Sequence, residues 1–171
     1  MRTRGIVLVG LFVWFGIAAA ARVTITPAPT TTATSTATPA PLPKIGETVT
    51  AGNWKYTVSK VARQKSVTWS SFGNKTDAKG IWQIVHVKLE NIGKRTYTLN
   101  TWDFEVKSGD ITFEAASDSI SYSSFNNLSK SMDDYPPGVP AEIGLLFDVN
   151  PEAKGLTLWL VQAKVAIDLG Q

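Results

Sequence analysis

The stretch that most constrains this chain is residues 80–93. Ile81, Val85, Val87 and Leu89 fall on one side of a two-residue period, and His86, Lys88 and Glu90 on the other. A β-strand turns successive side chains to opposite faces, so the pattern reads as a strand with one face in a core and one in water. β-Branched residues suit that pleated surface, and Asn91-Ile92-Gly93 closes it with turn residues.

The segments after residue 44 read as partners for this strand. Trp54, Tyr56 and Val58 alternate, then the phase slips so that Val61 takes the next apolar slot, which predicts a β-bulge at Ser59-Lys60. Residues 65–79 read as a polar connector containing Trp69 and Phe72. Tyr97 and Leu99 form a short strand. Trp102, Phe104 and Val106 then alternate with Asp103, Glu105 and Lys107, which places Trp102 inward and the acids outward. Ser108-Gly109-Asp110 supplies a hairpin turn into Ile111 and Phe113. Residues 116–138 hold seven serines and no clear period. Ile143, Leu145, Phe147 and Val149 alternate cleanly with Gly144, Leu146 and an outward Asp148. Leu156, Leu158 and Leu160 make one further strand, and Val165, Ile167 and Leu169 the last. No segment shows a helical period. The expected fold is all-β, an antiparallel sandwich of about eight or nine short strands.

Residues 1–22 read as an export segment. Arg2 and Arg4 precede an uncharged apolar run that ends in alanines offering an Ala-x-Ala cleavage pattern. At ~1.5 Å per residue the run spans roughly 26 Å, a little short of a bilayer core, so it reads as a signal peptide or, uncleaved, as an N-terminal membrane anchor. Residues 23–43 form a stalk. Its residues 26–43 include seven Thr, five Pro and four Ala and no charge, too little apolar surface to fold. Residues 44–171 are long enough for one domain with a single core.

The net charge of +3 is misleading, because Arg2, Arg4 and Arg22 lie outside the domain. Residues 44–171 carry 14 basic and 14 acidic side chains, and no basic patch with interleaved aromatics points to nucleic acid. Residues 44–95 nonetheless hold ten Lys or Arg against three acids, and residues 96–171 four against eleven. Interleaving of strands from the two halves would mix these charges, whereas segregation would give a domain with one positive and one negative end. The chain has no cysteine, which excludes a disulfide framework, a lipidated cysteine, a zinc–thiolate site and a thiol nucleophile.

Four motifs carry a resemblance. They are the strand from Val85 to Asn91, the Phe104…Gly109-Asp110…Phe113 hairpin, Pro137-Gly138, and Phe147-Asp148-Val149. Their order and spacing over residues 45–170 resemble the small bacterial extracellular domains of domain-of-unknown-function family 4352. The resemblance implies an immunoglobulin-like sandwich. It transfers no catalytic residue. Many members are lipoproteins, and this chain departs from them in lacking the cysteine.

The search for chemistry yields no catalytic, cofactor-binding or metal-ligating set. His86 is the sole histidine, on a strand face predicted to be outward, with no Gly-x-Ser-x-Gly elsewhere. Asp133-Asp134 alone is too sparse for calcium, which needs several convergent oxygens. A carboxylate-based hydrolase would draw on Glu90, Asp103, Glu105 or Asp133, and needs two of them across a cleft. The remaining feature is aromatic. Tyr122, Phe125, Trp69 and Phe72 sit in polar connections, where large rings mark a partner surface or cover an open edge of the sandwich. The resulting expectation is a non-enzymatic, exported binding domain at the cell surface, with no cofactor and with an envelope protein or glycan as partner. Membrane contact would come only through an uncleaved N-terminal segment. The alternatives are the hydrolase and a structural spacer in a surface assembly.

Overall fold

The computed structural model of the protein describes residues 40–69, 73–129 and 132–171. The export segment and most of the stalk, residues 1–39, lie outside them, as does Phe72. In chain order the strands are β1 (Thr48–Ala51), β2 (Trp54–Thr68), β3 (Lys75–Asn91), β4 (Tyr97–Thr98), β5 (Phe104–Ser108) and β6 (Ile111–Glu114). Helix α1 (Ser119–Phe125) precedes β7 (Asp134–Tyr135), β8 (Pro140–Val149), β9 (Thr157–Leu160) and β10 (Val165–Asp168). One sheet has the order β1-β2-β3-β8 and the other β10-β9-β5-β6, while β4 and β7 form a small ladder of their own. All these pairings are antiparallel. The all-β sandwich is as the alternation predicts.

The two halves of the chain do not interleave as expected from mixing. The basic half supplies β1, β2 and β3 to one sheet, and only β8 crosses over to join them. β2 carries Lys55, Lys60, Arg63 and Lys65 with no acid among its residues.

The main core lies between the sheets. Val85, Val87 and Leu89 of β3 meet Ile143, Leu145 and Phe147 of β8, with Phe104, Val106, Leu158 and Ile167 from the facing sheet. The predicted bulge is present, since Val58 pairs with Val87 and Lys60 with His86, leaving Ser59 as the extra residue. The Gly109-Asp110 turn is present too, with Ser108 opposite Ile111 and Gly109 at φ 57°.

β3 departs from the predicted single buried face. Trp82 and Ile84, on the side opposite the main core, are buried in a second cluster with Val67, Ala78 and Leu146. Residues 65–68 and 75–79, predicted to belong to a connector, are therefore the far parts of β2 and β3. The β2–β3 register slips between Gln64 and Ser66, where residues 78–81 of β3 have no partner in β2. Side chains take over the lost hydrogen bonds. The Lys65 ammonium donates to the carbonyls of Ala78, Lys79 and Gly80 at 2.6, 3.1 and 2.9 Å. The Asp148 carboxylate accepts the N–H groups of Lys79 and Gly80, both at 2.8 Å. Such bulges cost little only when the freed backbone groups find partners. Gly80 is required here because a Cβ would collide with the Val149 carbonyl.

Two residues exchange their predicted sides. Trp102, expected in the core, is 63% exposed, and Asp103, expected in water, is 6% exposed. The cause is a 3-10 turn over Thr101–Asp103, whose three-residue period breaks the two-residue alternation just before β5. Asp103 is kept inside by donors: Asn100 N–H at 2.8 Å and Gln162 Nε2 at 2.7 Å.

Phe147, fully buried, should lose about 3–5 kcal/mol of stability on change to Ala. An outward Asp148 implies almost no cost, but its two backbone donors make Asp148→Ala destabilising by about 1–3 kcal/mol. Urea denaturation of the two variants checks both values, and an undiminished Asp148→Ala would mean that the bulge holds without its clasp.

Candidate functional site

The serine-rich segment, read as a connection without a clear period, carries α1, and its sequence explains why no period announced it. Seven residues give barely two turns. The helix attaches through hydroxyls rather than through an apolar stripe. β8 is an edge strand, so one row of its backbone groups has no neighbouring strand. Ser119 Oγ accepts Leu146 N–H at 2.9 Å. Ser123 Oγ donates to the Gly144 carbonyl at 2.9 Å and lies 3.0 Å from the Gly144 N–H, which it accepts. Ala116 N–H reaches the Leu146 carbonyl at 2.7 Å and Ser129 N–H the Glu142 carbonyl at 2.8 Å. Residues 116–129 thus cover the edge that would otherwise invite pairing with another chain.

Tyr122 belongs to this cover. Its ring packs against the second cluster and over Gly144, where a Cβ would sit 2.7 Å from Tyr122 Cε1. Phe125, at the end of the same helix, is 41% exposed. Trp69 is partly buried, with its indole N–H bonded to Thr76 Oγ1 at 2.8 Å, two residues beyond the clustered Val67. Phe72 lies outside the described residues.

A polar cluster on the same sheet face gathers Ser59, His86, Tyr122 and Glu142. His86 Nε2 and Tyr122 Oη share a hydrogen bond at 3.2 Å, and the two rings meet edge to face. Glu142 Oε1 lies 3.7 Å from His86 Nδ1 and accepts the Ser59 hydroxyl at 2.7 Å. The residue types resemble a hydrolytic triad, but the order of bonds does not. A nucleophilic serine must give its proton to the histidine, and here Ser59, on the bulge, gives it to the carboxylate. The expectation of a freely exposed His86 is also corrected, since Tyr122 covers it and its side chain is only 14% exposed.

The acids considered for hydrolysis do not converge. Glu90 is engaged by Lys55 at 3.2 Å on the outside of the first sheet. Glu105 pairs with Lys107 at 3.3 Å, on the strand face opposite the buried Val106. Asp103 is inside. Asp134 accepts the Thr98 hydroxyl at 2.7 Å, and among the described residues no group of three acids or histidines forms a metal cage.

Burial lowers the pKa of His86 below its ordinary value of 6.5, with Lys60 adding to the effect and Glu142 opposing it. The unfolded chain therefore takes up the proton first as pH falls. The stability contributed by neutral His86 is present above about pH 6.5 and is lost as pH drops towards the lower folded value. Between about pH 7.5 and 5.5 the wild type should lose more melting temperature than His86→Gln, whose carboxylates are otherwise the same. Equal losses would show that Glu142 cancels the effect of burial, and a smaller loss in the wild type that it outweighs burial.

Comparison with known proteins adds the family and the fold. Three solved structures share the architecture. The yjhA protein of Bacillus subtilis is 21% identical, with a TM-score of 0.54 over 75% of this chain and 99% of that one. A conserved hypothetical protein of Bacillus anthracis is 12% identical, with a TM-score of 0.60 over 74% and 94%. The secreted protein MPT63 of Mycobacterium tuberculosis is 12% identical, with a TM-score of 0.51 over 79% and 99%. At these identities the likeness speaks for the fold alone. None of the curated proteins matches the sequence. The model of the family described as "Domain of unknown function (DUF4352)" matches residues 43–166, most of the chain and nearly all of the folded domain, and this chain belongs to that family.

Proposed function

We propose that the chain is an exported, non-enzymatic binding module that meets a protein or glycan of the cell envelope through the aromatic side chains beside α1. The observation that carries the reading is Phe125. It is a large apolar ring left 41% exposed at the end of a helix whose two buried serines fasten it to β8. A ring held on a rigid support loses little entropy on binding, which favours it as a contact residue. Tyr122 supports the platform, and Trp69 and Phe72 are proposed as neighbouring contact residues on the ground of their sequence setting alone, Phe72 lying outside the described residues. The apolar segment and the Thr/Pro stalk that precede the domain support export. MPT63, with the same architecture, is described as a secreted protein. The non-enzymatic reading draws support from Ser59, whose proton is committed to Glu142 instead of His86.

Retention of the labelled chain on envelope fractions of its host, with fractionation to locate the native protein, tests this. Phe125→Ala should reduce retention several-fold at an unchanged melting temperature, whereas Tyr122→Ala should lower the melting temperature by uncovering the β8 edge. Full retention by Phe125→Ala would remove that ring from the partner surface, and recovery of the native protein in the cytosol would overturn export.

A further inference from the structure

The opposite kind of site, a cleft instead of a surface, opens at one end of the sandwich. It lies among the β1–β2 turn, β4, the 3-10 turn and the β9–β10 turn, and encloses a cavity of about 200 Å³. Trp54, Tyr56 and Tyr97 line it, together with Asp103 and Gln162. The three rings stand close enough to act as one wall: the Trp54 centroid is 6.1 Å from that of Tyr56 and 6.4 Å from that of Tyr97. Asn53 Nδ2 donates to Tyr97 Oη at 3.0 Å, which fixes the outermost ring.

Asp103 sets the chemistry. Its carboxylate is 6% exposed and accepts Gln162 Nε2 and Asn100 N–H. Both donors are neutral. The cleft lining itself contains no Lys or Arg, the Arg95 guanidinium stands 6.0 Å from the Tyr97 ring centroid, and the ion pairs among the described residues involve other carboxylates. A buried carboxylate with hydrogen bonds but no opposite charge is electrostatically incomplete, and an incoming cation would complete it. Aromatic faces add to this, because their negative π-clouds attract cations, Trp most strongly. Burial, helped by the neighbouring Asp103 charge, also pushes the Tyr56 hydroxyl above its ordinary pKa, so that ring stays neutral and brings no second charge.

We propose that this cleft is a receptor for a small organic cation, an alkylammonium or quaternary ammonium group, held between the Trp54, Tyr56 and Tyr97 rings and the Asp103 carboxylate. The occupant enters charge-first, its methyl or methylene groups against the rings and its ammonium towards Asp103. Phe125 is not part of the lining, so this site and the envelope-binding surface can fail independently.

Choline and its uncharged isostere 3,3-dimethylbutan-1-ol separate charge from shape. Titrated into the full chain and followed by the indole N–H resonance of Trp54, choline should give a saturable shift, with an affinity about ten-fold above that of the alcohol. Asp103→Asn should weaken choline binding by about ten-fold and leave the alcohol unaffected. Because that substitution can loosen the 3-10 turn, its melting temperature is measured alongside, and Tyr97→Leu, at a partly exposed wall position, serves as the second variant. Tyr97→Leu should also weaken choline. No saturable choline shift, equal affinity for choline and the alcohol, or full choline affinity in either variant would overturn the proposal.

Discussion

Burial of β3 on both faces is the constraint on which the rest of the structure depends. On one face Val85, Val87 and Leu89 hold the sandwich together, and on the other Trp82 and Ile84 demand a cover. Each fully buried aliphatic side chain is worth about 1.5–3 kcal/mol relative to exposure, so neither set could be left in water. The far half of the β2–β3 hairpin supplies Val67 and Ala78 to that cover, and the helical segment supplies Tyr122. What looks like ornament on a sandwich is a second, smaller core. With no disulfide available, these two apolar clusters carry the stability.

Around them, polar side chains finish what the ladders leave open. Ser119 and Ser123 act as a substitute strand along β8, and Lys65 and Asp148 clasp the irregular part of β3 from its carbonyl and amide sides. Asn91 does the same at the end of β3. Its Nδ2 donates to the carbonyls of Arg95 and Tyr135, both at 2.7 Å, while its Oδ1 accepts Gly93 N–H at 2.8 Å. The Asn91 carbonyl in turn receives Gly138 N–H at 2.7 Å, tying the Pro137-Gly138 turn to the same point. A buried amide with this many fixed partners is costly to replace, since any hydrocarbon would orphan three backbone groups.

Period and turn chemistry were legible in the sequence, and contacts made by polar groups were not. The alternation through Val85, Val87 and Leu89, the slip at Ser59 and the Gly109 turn each follow from rules that act within a few residues. The second face of β3 was hidden, because Trp82 and Ile84 gain part of their cover from residues about 40 to 60 positions away, such as Tyr122 and Leu146. The helix was hidden because its adhesive is serine, which reads as loop. Trp102 and Asp103 were misplaced because one 3-10 turn changes the period without any glycine or proline to announce it. The cleft was illegible for the same reason, as it exists only if Asp103 points in. Phe125 was singled out by composition alone, and its exposure could not be read from the chain.

The motifs that carry family membership therefore bear on fold and not on ligand. Asn91 and Pro137-Gly138 form one structural junction, Gly109-Asp110 turns a hairpin, and Phe147 fills the core. All of them are spent on holding the sandwich. Specificity must come from groups the architecture does not need in that chemical form, because fold and function are separable. A turn at residues 101–103 needs an acceptor at its end, but an amide would serve the Asn100 N–H as well as a carboxylate. Aliphatic side chains would fill the space of Trp54 and Tyr97 without offering π-faces to a cleft. The negative charge of Asp103 and the aromatic character of its neighbours are surplus to the fold, and it is on that surplus that the proposed cation site draws.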